Sequence, residues 1–136
     1  MASKNFEISD VVELRVMQRI MREAKFCIAE NDTEISTSPI VSQLFKRLMD
    51  ALIEAEVELD GEEARTRWLR WLNLDDPRRD EWQVAVGRAA NDGRWEKFTD
   101  QEKRDFSENV LCPFTMAPDL LNEFIYAVES KKILLE

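Results

Sequence analysis

The sequence predicts an all-α fold, a compact single-domain bundle of about six helices. Three observations predict it. Three Gly and four Pro among 136 residues leave room for long unbroken elements. Apolar residues recur at three- and four-residue spacing through several stretches. Each stretch follows a recognisable helix-start signal.

Residues 1–9 read as an N-terminal lead-in. Asp10 with Glu13 forms a capping pattern. Val12, Val16, Met17, Ile20, Met21, Ala24, Cys27 and Ile28 then share one broad face, opposite Arg15, Arg19, Arg22 and Glu23. This period predicts a helix over 10–30 whose apolar face is central to the core.

Asn31 to Ser38 reads as a polar loop. Ser38-Pro39 starts the next helix, because Ser caps and Pro fits the first turn. Ile40, Val41, Leu44, Phe45, Leu48, Ala51, Leu52 and Ala55 share a face, so a helix over 39–57 is expected. Its end is set there because Glu58 would enter the apolar stripe. Ile53 to Asp60 also alternates with period two, a strand signal with no partner strand, so a fraying helix end is preferred.

Asp60 and Glu63 form a second capping pattern, ahead of a short helix with Ala64, Trp68, Trp71 and Leu72 inward. Asp76-Pro77 reads as another start, with Trp82, Ala85, Val86, Ala89 and Ala90 buried and Asn91-Asp92-Gly93 as the stop. Thr99 with Glu102 caps a surface helix whose narrow stripe is Phe106, Val110 and Leu111, and Pro113 ends it. Ala117-Pro118 opens the last helix. Leu120, Leu121, Phe124, Ile125 and Val128 face inward and Tyr126 outward. Lys131 and Lys132 would enter the apolar face, so this helix should end near 130, leaving 131–136 as an apolar tail.

Composition limits function. Net charge is −9, and the excess lies in residues 1–63, with 14 acids against 7 bases. Residues 64–136 hold 14 against 12. An acidic chain disfavours direct nucleic-acid binding and docking on anionic lipid. No stretch has a membrane-spanning length of apolar residues, and the first residues carry no signal-peptide core. A cytoplasmic location is expected. The absence of histidine removes the commonest general base and metal ligand. Cys27 and Cys112 fit no metal spacing and read as two buried, reduced thiols. No cofactor motif and no nucleophile–base pattern occurs.

Carboxylates need separate treatment, because hard cations are held by clustered oxygens. The run Glu54, Glu56, Glu58, Asp60, Glu62 and Glu63 lacks the offsets of a calcium loop and reads as a solvated helix end. In Asp75-Asp76-Pro77, proline keeps the acids off one helix face, so Asp76 reads as a cap. Glu102 and Asp105 do share a face, but no companion pair stands out, and Glu54, Glu58 or Glu23 would have to serve.

Arg67, Trp68, Arg70 and Trp71 interleave arginine with tryptophan, a composition enriched at binding hot spots, although the same tryptophans suit the core. Arg67 lies one turn from Trp71 and can stack on it. Ile133, Leu134 and Leu135 at the terminus either fold back or dock on another chain. With Tyr126, these are the candidate partner-binding residues. The leading expectation is a non-enzymatic protein–protein interaction or regulatory module of the inhibitor, antitoxin, immunity or adaptor type, with a protein partner, a homodimer being one form it can take. One alternative is a carboxylate-metal hydrolase of phosphorylated small molecules. Another is an acidic nucleic-acid mimic that binds a basic protein.

Overall fold

The computed structural model describes residues 5–27 and 33–135. Among these, the chain forms seven α-helices and no strand, a compact all-α bundle. In order they are α1 (Val11–Phe26), α2 (Thr33–Thr37), α3 (Pro39–Asp60), α4 (Glu62–Leu72), α5 (Asp80–Ala90), α6 (Asp100–Leu111) and α7 (Pro118–Leu135). A 3₁₀ turn at Trp95–Lys97 joins α5 to α6.

The start signals act through hydrogen bonds to otherwise orphaned amides. The Asp10 carboxylate accepts from the Glu13 amide at 3.1 Å. Ser38 Oγ accepts from Val41 N at 3.3 Å. Thr99 and Glu102 bond reciprocally, at 3.1 and 3.0 Å, in a full capping box. Gly61 separates α3 from α4 at φ 86°, ψ −177°, a region essentially restricted to glycine.

α1 packs along α3, α4 folds back on α3, and α7 lies against α5 and α6. The core holds Phe45, Leu52, Leu74, Trp95, Leu111 and Phe124, all essentially inaccessible. Trp82 meets Phe124 edge-on with ring centroids 5.2 Å apart. The α4–α5 and α6–α7 connections are stitched together, since Leu74 N donates to Thr115 O at 2.8 Å and Thr115 N to Leu72 O at 2.9 Å.

Several boundaries differ from the sequence expectation, each for a tertiary reason. α1 ends at Phe26 because Cys27 is extended, at φ −68°, ψ 134°. The expected placement of Ile28 lies outside the described residues. The polar loop contains α2, a single turn lodged against α1 and α3 with Ser36 buried. α3 runs on to Asp60 because Glu58 is exposed, and the carboxylate that enters the interior is Glu56. The 53–60 segment is therefore helix, with no fraying at 57. α4 uses Gly61 and no side-chain cap, in place of Asp60 with Glu63.

α5 begins at Asp80 and not at Pro77. Asp76 instead closes a tight turn, accepting from Arg78 N at 2.9 Å and from the Arg78 guanidinium. α7 continues to Leu135 because Lys132 threads its stem inward and donates to Ala90 O at 2.8 Å, while Lys131 stays exposed. Cys27 and Cys112 are free but only half-buried, because each sits at a helix C-terminus near the surface.

Candidate protein-docking surface

The largest departure concerns α1. Its inward face carries Leu14, Gln18, Lys25 and Phe26, and Val12, Val16 and Ile20 point to solvent. Three buried polar clusters hold the helix in this rotation.

In the first, Arg15 Nε donates to Glu56 Oε1 at 2.6 Å, and the Trp68 indole N–H donates to the other carboxylate oxygen. Burial pushes the Glu56 carboxyl up, but the bonds from Trp68 and Arg15 and the nearby Arg67 charge outweigh it and hold the group below its ordinary value. In the second, the fully buried Lys25 ammonium donates to Ser42 Oγ at 2.8 Å, Asn109 O at 2.9 Å and Cys112 O at 2.6 Å. All three ammonium protons are used, two of them on carbonyls at the end of α6. Burial lowers the Lys25 pKa to about 8, partly countered by Cys112, and burial raises that of the Cys112 thiol. In the third, the buried Glu81 carboxylate takes Arg22 at 3.2 Å and Arg79 at 3.1 Å.

Breaking one partner out of a buried charged cluster is strongly destabilising. These contacts therefore override the apolar period of α1 and turn the opposite side of the helix outward. Val12, Val16 and Ile20 are 58, 49 and 54% exposed, and on α3 Ile40 and Leu44 are 69 and 49% exposed.

At about 100° per residue, Val16 and Ile20 lie roughly 100–140° round α1 from Arg15, and Ile40 and Leu44 roughly 120–160° round α3 from Glu56, so each stripe faces away from the contact that joins the two helices. Met17 and Ala24 on α1 and Leu48 and Ala55 on α3 are half-buried. Burying what remains exposed of each larger side chain is worth about 1 kcal/mol.

The residues singled out in the sequence are placed as follows. Trp68 and Trp71 are half-buried and meet edge-on at 5.6 Å, and Trp71 lies 4.8 Å from the Phe114 ring. The arginine over this pair is Arg79, whose guanidinium sits 4.8 Å from the Phe114 ring, 5.9 Å from the Trp71 ring and bonds Trp71 O at 2.8 Å. Arg67 does not take that place, and both Arg67 and Arg70 are exposed on α4. Tyr126, Ile133 and Leu134 are exposed along one side of α7 at i, i+7 and i+8, a second and smaller apolar stripe. The Leu135 side chain lies outside the described residues.

The carboxylates disperse. Glu102 is occupied by the Thr99 amide, Asp105 accepts from Gln101 Nε2 at 2.9 Å, and Glu54 pairs with Arg65 at 2.8 Å. Among the described residues no group of three or more acids or thiols is gathered around a common cation position. A groove of about 260 Å³ between α6 and α7 is lined by Arg104, Glu108, Phe114, Thr115, Met116, Pro118 and Leu121.

Sequence reasoning missed Lys25, Glu56 and Glu81 as buried groups and missed the outward apolar stripe. No signal within α1 marks its inward face, because Arg15, Arg22 and Lys25 reach partners 17 to 87 positions away in the chain. No helix among the described residues is long and apolar enough to cross a membrane. Compared with known proteins, the chain matches no family model, no curated protein and no solved structure.

Proposed function

We propose that this chain is a non-enzymatic protein–protein interaction or regulatory module, and that it docks through the exposed apolar side of α1. One observation carries the reading: buried ionic clusters hold α1 with Val12, Val16 and Ile20 outward. A helix set this way keeps apolar surface available at the expense of its own core, the arrangement expected where another protein completes the packing. The free Cys27 and Cys112 thiols suit the reducing cytoplasm, where we place it.

The test compares the wild-type chain with Val16→Glu/Ile20→Glu as immobilised baits in host lysate at low and high salt. A stoichiometric partner held at high salt by the wild type, and lost by the variant, supports this face. Equal retention by both moves the docking site to the Tyr126–Ile133–Leu134 stripe or to Arg67 and Arg70. Capture lost at high salt by both baits favours charge-driven docking, as an acidic nucleic-acid mimic would show. No stoichiometric partner on either bait counts against the reading.

A further inference from the structure

The charges beside the α1 stripe identify what covers it. At about 100° per residue, Arg15, Arg19 and Arg22 lie roughly 60–120° to one side of Val16, and Glu13, Met17 and Ala24 roughly 60–100° to the other. One margin of the stripe is therefore a row of arginines, spaced about 6 and 4.5 Å along the helix. The other carries Glu13 and half-buried apolar side chains, and the exposed Glu23 closes the stripe at its C-terminal end. Arg15 and Arg22 are anchored from beneath. Arg15 bonds Glu56 through Nε and Arg22 bonds Glu81 through Nη2, and both carboxylates are buried while the two arginine side chains stay 43 and 34% exposed. A guanidinium has several N–H donors, so each of these two keeps further donors unbonded among the described residues. Arg19 is exposed and has no ion pair among the described residues.

We propose that the α1 stripe binds an amphipathic helix of a partner protein, one whose apolar side is edged by a row of glutamates or aspartates. This rests on the reading of α1 as a docking surface and states the chemistry of its occupant. The partner's apolar side covers Val12, Val16 and Ile20, and its acids, three and four residues apart, fall along Arg15, Arg19 and Arg22. A guanidinium already held by a carboxylate beneath it loses little freedom on taking a second one, whose two oxygens fit its planar fork. The unlike margins select a helix over a lipid surface. An anionic bilayer would reach both margins at once and meet Glu13 and Glu23 as well as the arginines.

Fluorescence anisotropy with the full chain and two labelled helical peptides, each about five turns long, tests this. Both peptides carry leucines at three- and four-residue spacing. One has glutamates along one margin of that stripe, and the other has lysines at the same positions. The wild-type chain is expected to bind the glutamate peptide at least ~10-fold more tightly than the lysine peptide, with the gap narrowing at high salt. Val16→Glu is expected to weaken glutamate-peptide binding at least ~10-fold, as for an apolar anchor at the centre of a contact. Arg19→Glu is expected to weaken the glutamate peptide about tenfold and to strengthen the lysine peptide, a crossed change that loss of folding cannot produce. Circular dichroism checks that each variant is folded.

Equal affinity for the two peptides, still lost in Val16→Glu, overturns the acidic partner and leaves the docking reading of α1 intact. Binding indifferent to both Val16→Glu and Arg19→Glu also overturns the proposal. So does a wild-type chain that binds neither peptide; retention on mixed phosphatidylcholine and phosphatidylserine vesicles then gives the stripe to a membrane surface, and a dimer dispersed by Val16→Glu gives it to a second copy. The interaction reading itself stands or falls separately, on whether the lysate bait keeps a partner that Val16→Glu/Ile20→Glu loses.

Discussion

The Lys25 ammonium donates to the Cys112 carbonyl oxygen at 2.6 Å, joining the C-terminal end of α1 to the C-terminal end of α6 across 87 positions of chain. One buried cation thus bonds two helix-end carbonyls and the Ser42 hydroxyl, which itself donates to Asn109 O at 2.9 Å. Lys25→Met removes the donor to the Cys112 carbonyl and the Ser42 hydroxyl and leaves a buried void where the ammonium sat, while Asn109 O keeps the Ser42 hydroxyl. It is expected to lower unfolding free energy by about 2–4 kcal/mol in urea denaturation.

The same residue gives a pH signature with a definite sign. The Lys25 pKa falls from 10.5 to about 8 on folding, so between these values the unfolded chain binds more protons. Its contribution to stability is therefore complete above 10.5 and is lost as pH falls toward 8. In a Cys112→Ala background, which removes the thiol's opposite titration, the advantage over the added Lys25→Met change should grow by up to about 3 kcal/mol across that window. A flat difference would show that the ammonium is not desolvated.

Glu56 ties Arg15 and Trp68 to one carboxylate. Glu56→Gln is expected to destabilise the fold by about 3 kcal/mol and to shift Trp68 fluorescence. Because the folded carboxyl titrates below its ordinary value of 4.5, the stability it provides is present above 4.5 and fades as pH falls through the folded value. Wild type and variant should converge in acid, as followed by denaturation at stepped pH.

The outward rotation of α1 separates two apolar positions that look equivalent in sequence. Val16→Glu is expected to change unfolding free energy in dilute solution by no more than about 0.5 kcal/mol, as at an ordinary surface site. Leu14→Ala, only two residues away, is expected to cost about 2–4 kcal/mol, because Leu14 is buried at 3% exposure. Comparable losses at both sites would refute the rotation.

Gly61→Ala isolates backbone strain, because no atom lies within 4 Å of a β-carbon built there. With φ at 86° the expected loss is about 1–3 kcal/mol, measured by thermal unfolding.

The helical class was legible from the sequence because capping and period are local. Asp10, Ser38 and Thr99 bond amides three residues on, and nothing distant is needed to find them. The buried faces of α5 and α7 followed from period alone, since Trp82, Ala85, Val86, Phe124 and Val128 are all inside. Trp68 and Trp71 were legible as residues with two possible uses, and their half-buried contacts with Glu56, Phe114 and Arg79 define the inward one. Period failed at α1, where two faces competed. One was apolar. The other carried Arg15, Arg22 and Lys25, whose acceptors belong to α3, α5 and the end of α6.

By itself, then, the sequence determined the helical class and the rough extent of every helix but the short α2, because hydrogen bonds and side-chain spacing within one turn decide those. Only the tertiary structure decided which side of α1 lies inside. A helix presents all its faces equally until neighbours surround it, and the desolvation of Glu56, Glu81 and Lys25 is compensated only when residues remote in the chain converge on them.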